Sequence, residues 1–318
     1  MSPNSSISAS DRRSTQYLVI LSAVAACVLL LNMVTSLYAI RTNLLTWHVA
    51  SLFKYQTDKL KSGPTIDLLL LGDSSLGNAI DARVWSAQSG AAVVNVALTG
   101  AYGYAGSLQM LRRASNARGV RAALIVQTPD ILARGAVHEG IIFTAGDLSA
   151  IFDVPIQHLL PWLLSKEIPI SLMRRIVNGP PRVSDQMKRA DYVPQSGKPM
   201  ARSEFDHLKP FDAASIRQES MLYLRRISEL CAAKRIRCGY AYGPVAAPLC
   251  SDEKGYYTEA NRLIRATGLE LLSDRPPCLN QEELGDSPDH VSPSHKLNVT
   301  ALYIRMYSAW IQRIRKAQ

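Results

Sequence analysis

Short apolar runs punctuate the body of the chain. Each ends in a polar or glycine-rich turn and is followed by a segment with helical spacing. Residues 66–72 (IDLLLLG) are the first run, and the consecutive leucines from Leu68 to Leu71 suit a strand covered on both faces. The pattern then predicts a short helix over 81–89, a strand over 91–98 (AAVVNVAL), an amphipathic helix over 105–117 and a strand over 121–129. Further on it predicts a long helix over 213–235, a strand over 236–245 and a helix over 256–268 ending at Gly268. A last strand over 269–273 and an amphipathic helix over 299–317 close the chain. Alternating strands and helices imply an α/β fold with a mostly parallel sheet and helical crossovers. Ligands bind such sheets just beyond the carboxyl ends of strands. The first run stops at that place, in Gly72-Asp73-Ser74-Ser75.

The N-terminal part reads differently. Residues 1–15 are polar and Ser-rich, as expected of a disordered tail. Residues 16–40 carry no charge, enough at about 1.5 Å per residue to cross a bilayer core of about 30 Å. A single-pass signal-anchor helix is the expectation, with a cleaved signal peptide and a buried soluble helix as the alternatives. Arg12 and Arg13 precede the run, while Arg41, Lys54, Lys59 and Lys61 follow it, so flanking charge does not fix orientation. The usual signal-anchor layout favours an inside N-terminus with the large domain outside the cytoplasm. Residues 41–64 read as a juxtamembrane linker with a short helix around 44–60, and 65–318 as one domain.

Residues 135–212 break the rhythm and read as an insertion. Its first part, PIQHLLPWLLSKEIPISLMRRIV, suits a lid or a segment lying on a membrane; its second is a basic, Pro-rich loop. The hydrophobic content of 47% excludes global disorder, and the net charge of +10 favours an anionic neighbour such as lipid headgroups or an acidic glycan. No zinc-finger spacing or aromatic-basic motif points to nucleic acid. Of the five cysteines, Cys27 lies in the apolar run. Cys231, Cys238, Cys250 and Cys278 allow three disulfide pairings or four free thiols. No metal cage and no glycine-rich phosphate loop is present, so no cofactor is implied.

A serine at a strand end becomes a nucleophile only if a base takes its proton and a third group orients the base. Ser74 is the candidate nucleophile. Among His48, His138, His158, His207, His290 and His295, His290 stands out, because its loop GDSPDHVSPSH carries Asp286 and Asp289 directly before the last helix. The remaining histidines suit surface or packing roles.

On these residues the chain resembles the SGNH (GDSL-type) hydrolase superfamily. LLLLGDSS looks like its first block, VVNVALTGAYGY (93–104) like its second, and DSPDHVSP like its last. The resemblance covers about residues 66–130 and 213–315, in order, and is closer to the membrane-anchored SGNH-like proteins of bacterial surface-polymer acylation than to secreted lipases. It implies a three-layer, flavodoxin-like α/β sandwich. It also implies Ser74 as nucleophile, His290 as base, Asp286 orienting His290, and the amides of Ser74 and Gly100 as oxyanion donors. Asp73, Asp289 and Thr128 would be site neighbours. Two departures stand out. The family's third-block asparagine is absent from VQTPDIL (126–132), leaving Gln127 or Thr128 to substitute, or a hole with two donors. Such a loss typically costs about 2.7–4 kcal/mol, which suits a specialised transferase. The family's Asp three residues before the His is replaced by Ser287. The function implied is a serine O-acyltransferase or esterase moving acetyl groups on an exported polysaccharide. It would sit in the bacterial inner membrane, face the periplasm, and work with a multi-span acyltransferase partner. The alternative is a non-catalytic scaffold or glycan-binding subunit on the same fold.

Overall fold

The leucine run forms strand β1 (Ile66–Gly72), buried from Leu68 onward. In the computed structural model, which describes residues 9–41, 48–134, 177 and 198–316, β1 is the second strand of a five-stranded sheet. The other strands are β2 (Val93–Asn95), β3 (Val120–Gln127), β4 (Arg237–Tyr242) and β6 (Glu270–Leu271). Every pairing in the order β2-β1-β3-β4-β6 is parallel. The short strands β5 (Val245–Ala246) and β7 (Cys278–Leu279) form a separate parallel pair. The order reverses between β1 and β3, the place where sheets of this kind have a crevice at the carboxyl edge, because the connections leaving the two strands run to opposite sides.

Alternation along the strands splits the core in two. Leu69, Leu71, Ile125 and Tyr240 join one apolar cluster, while Leu68, Leu70, Leu124 and Ala241 join the other. The first cluster also takes side chains of α2 (His48–Asp58), α5 (Gly103–Ala117), α8 (Gln218–Lys234) and α9 (Tyr256–Ala266). The second takes side chains of α3 (Ser74–Ala79), α4 (Ala82–Ser89), α7 (Arg202–Asp206) and α10 (Lys296–Lys316). A four-residue helix, α6 (Ile131–Arg134), follows β3.

Several elements differ from the sequence expectation. Helix α1 spans Ala9–Arg41, so residues 9–15 are helical where a disordered tail was expected. Extending a long helix by a few residues costs far less than starting one. Its segment Ser14–Thr35, 22 residues, is long and apolar enough to cross a membrane, and none of its apolar window is buried. A signal sequence would have the same character. The stretch expected as a linker docks on the domain. Leu52 and Phe53 of α2 are buried, Phe53 stacks on Tyr102 at 5.5 Å, and Gln56 Nε2 donates to the Ala97 carbonyl at 2.6 Å. Of the expected insertion, residues 198–212 pack on the body through Met200, Phe205 and Phe211, while 135–176 and 178–197 lie outside the described residues. The second strand is shorter than expected because the Asn95 side chain accepts from Ala97 N (2.9 Å) and donates to the Ile80 carbonyl (3.1 Å). The chain still follows β1, with Leu98 N donating to the Gly72 carbonyl at 2.9 Å. The body cysteines pair as Cys231–Cys238 and Cys250–Cys278, and Cys27 is free.

Close approach of β1 to β3 depends on Gly72. A Cβ there would fall onto the Val126 carbonyl oxygen, a backbone atom with no room to yield. Gly90 caps α4 at φ +66° with open space around it. Gly72→Ala is therefore expected to destabilise by about 3 kcal/mol, the upper end for overpacking. Gly90→Ala should cost only the left-handed backbone penalty of about 1 kcal/mol. Chemical denaturation of both variants checks this, and equal losses would contradict it.

Candidate active site

Helix α3 begins where β1 ends because Asp73 caps it. Asp73 Oδ1 accepts from Ser75 N (3.0 Å) and Ser75 Oγ (2.5 Å). Its Oδ2 accepts from Thr128 N (3.0 Å) and Thr128 Oγ1 (2.8 Å), at the end of β3. One buried carboxylate thus takes four donors and joins the two strands that flank the crevice. Ser75 is fully used and buried. Ser74 is the one residue between Leu68 and Ala82 that retains solvent exposure, and its hydroxyl has no hydrogen-bond partner among the described residues.

His290 stands on a loop closed by its own backbone. Leu284 and Val291 form an antiparallel bridge, Gly285 N donates to the His290 carbonyl (2.6 Å), and Val291 is wholly buried. Ala246 N reaches the Pro288 carbonyl at 2.6 Å, tying the loop to β5. His290 Nδ1 lies 2.7 Å from Asp286 Oδ1, so Nδ1–H donates to the carboxylate. Nε2 is then left as an acceptor, with no partner among the described residues. Of the two candidate aspartates, Asp286 is the one paired with the ring. Ser287, at the departed position, donates to Asp289 instead.

Helix α10 connects this loop to the serine helix. Lys296 Nζ donates to the Gly77 carbonyl at 2.6 Å. Thr300 Oγ1 accepts from Asp81 N at 3.0 Å and lies 3.0 Å from the Ala79 carbonyl. Burial pushes the Asp289 carboxyl up; the nearby His290 pulls it down and the charge of Asp73 pushes it up further. No hydrogen bond joins Ser74 to His290, a contact that often tightens only when substrate is bound.

The other sequence candidates fall as follows. Gly100 opens a single-turn helix (Gly100–Tyr102) and is buried. Thr128 gives both its N–H and its hydroxyl hydrogen to Asp73. Gln127 Nε2 donates to Ser107 Oγ (2.8 Å) and the Gly103 carbonyl (3.2 Å). Neither replaces the missing asparagine as a free donor. His295 bonds Ser292 at 2.9 Å and His207 bonds the Ser203 carbonyl, both local contacts. His138 and His158 lie outside the described residues, as does the His48 side chain.

Two residues escaped the sequence reading. Asp130 Oδ1 touches Thr128 Oγ1, and Asp130 Oδ2 pairs with Arg134 at 3.1 Å. Arg134 also lies over Gly100, its Nη2 2.5 Å from where a Cβ would stand. The spacing of Asp130 and Arg134, four apart in PDILAR, was the available signal. Burial pushes the Asp130 carboxyl up to about 6, against the pull of Arg134 and Thr128 and with the push of Asp289 and Asp73. The Thr128 hydroxyl thus stands between two carboxyl groups, those of Asp73 and Asp130.

No protein-family model, curated protein or solved structure matches this chain. What the molecule itself defines is an α/β protein with Ser74 and Arg134 on the connections that follow two adjacent parallel strands, and a His290–Asp286 pair on the loop before the helix that bonds to α3.

Ionising Asp130 is harder in the folded than in the unfolded protein. Its destabilising effect is absent below the unfolded value near pH 4 and complete above about pH 6. Asp130→Asn should therefore raise the melting temperature relative to wild type at pH 8 and lose that advantage at pH 4. A difference independent of pH in thermal melts would contradict this.

Proposed function

We propose that this chain is a membrane-anchored SGNH-type serine acyltransferase or esterase, with the three-layer sandwich of that superfamily. It would move acetyl groups on an exported or cell-surface polysaccharide. The observation that carries the reading is the accessible, unbonded Ser74 hydroxyl at the crevice, on a helix bolted through α10 to the loop of the His290–Asp286 pair. In the reaction, Ser74 Oγ attacks the acyl carbonyl while His290 Nε2 takes its proton. Asp286 holds the ring so that Nε2 is the free nitrogen and stabilises the imidazolium that forms. Collapse of the tetrahedral intermediate expels the donor alcohol, which receives the proton from His290. The acyl-Ser74 ester then passes to a sugar hydroxyl, or to water in the esterase version, by the same steps in reverse.

The setting supports this reading. The apolar helix Ser14–Thr35 supplies a single-pass anchor, and two disulfides suit an oxidising space outside the cytoplasm. A transferase there needs acyl groups delivered across the membrane, hence a multi-span acyltransferase partner. The net charge of +10 suits an acidic polymer or a lipid surface. A second reading, a non-catalytic glycan-binding subunit on the same fold, is favoured by one observation. Ser74 has no hydrogen bond to His290.

Intact-mass spectrometry after incubation with p-nitrophenyl acetate separates the two. The acyltransferase reading predicts a single acetyl adduct, absent in Ser74→Ala and formed at least about 10²-fold more slowly in His290→Ala. A folded wild-type protein that takes no adduct supports the binding subunit.

A further inference from the structure

The side chains expected to stand in for the missing asparagine are already committed, Thr128 to Asp73 and Gln127 to Ser107 and Gly103. The cation that does stand at this edge is Arg134. Its position is set from two sides. A continuous polar chain runs from Ser75 through Asp73, Thr128 and Asp130 to the guanidinium, and the absence of a side chain at Gly100 lets Nη2 settle over that backbone. Asp130 engages Nη2, while the Arg134 side chain remains 51% exposed. The guanidinium carries five N–H donors in all, and one carboxylate oxygen does not exhaust them.

We infer that Arg134 is the electrophilic donor of this site, taking the place of the missing asparagine and binding the oxyanion as the acyl carbonyl is attacked. The inference rests on the acyl-transfer reading above. As Ser74 Oγ bonds to the carbonyl carbon, the π electron pair moves onto the carbonyl oxygen and the serine proton moves to His290 Nε2. The new negative charge meets the guanidinium next to Gly100. When the pair returns, the bond to the leaving alcohol breaks and that alcohol takes the proton. A full positive charge is a stronger partner for an oxyanion than a neutral amide. Asp130 holds the guanidinium in place between turnovers.

The test is the pre-steady-state acetylation rate of Ser74 with p-nitrophenyl acetate, for the full-length chain. Arg134→Ala should slow acylation about 10²–10³-fold, the usual effect of removing one oxyanion donor, with little change in the substrate concentration at half-saturation. Arg134→Lys should recover part of the rate. The double variant Arg134→Ala/Asp130→Asn distinguishes a donor from a mere counter-ion. If Arg134 only neutralises Asp130, the double variant regains the wild-type rate; if Arg134 is the donor, it stays slow. Acylation at the wild-type rate in Arg134→Ala, or recovery in the double variant, overturns the inference and leaves the acyltransferase reading standing. A wild-type protein that forms no acyl-Ser74 overturns both.

Discussion

A buried carboxylate is tolerated only when hydrogen bonds replace its lost hydration. Asp73 meets that condition with four donors drawn from two residues, Ser75 and Thr128, on two different connections. Hydrogen bonds to a charged group are worth about 1.5–3 kcal/mol each, so the arrangement resists rearrangement. The consequence for Ser74 is positional. The carboxylate starts a helix at that residue, consumes the neighbouring hydroxyl of Ser75 and pins the end of β1 to the end of β3. What is left at the crevice is one serine with a free hydroxyl. The rest of the site is built around the same clamp, since Thr128 passes it on to Asp130 and thence to Arg134.

Packing makes the clamp possible. Gly72 lets β1 lie against the Val126 carbonyl, and Gly243 leaves room for the Ser75 hydroxyl, whose oxygen a Cβ there would strike. Chain order does the remainder. Because the sheet turns at β1 and β3, the residues after both strands share one edge. Because α10 is bonded to α3 through Lys296 and Thr300, the loop that carries His290 is delivered to that edge from more than two hundred residues away. Lys296 is 5% exposed and its ammonium donates to the Gly77 carbonyl. It serves as a bolt between helices.

The α/β rhythm was legible because buried parallel strands leave continuous apolar runs and their helices leave amphipathic ones. Leu68–Leu71 and the helix at the C-terminus are clear on that ground. Helix α3 was not legible: six residues are too few for a periodicity, and its signal is the cap at Asp73. The shortened β2 reflects a side-chain turn at Asn95, which apolar counting cannot register. Ser74, His290 and Asp286 could be named from short blocks, and the structure pairs Asp286 with the imidazole. Arg134 could not be named, because its meaning depends on Gly100, thirty-four positions earlier, lacking a Cβ at the point of contact. The burial of Leu52 and Phe53 was equally hidden, since a helix next to a membrane anchor and one docked on a domain share the same amphipathic pattern.

The central claim is that Asp73 commits Ser75 and leaves Ser74 as the reactive hydroxyl. Labelling the folded protein with a fluorophosphonate, followed by peptide mapping, tests it at the resolution of one residue. The account predicts a stoichiometric adduct on Ser74, dependent on His290, with Ser75 unmodified. An adduct on Ser75, or a folded protein that takes no label at either serine, would contradict it.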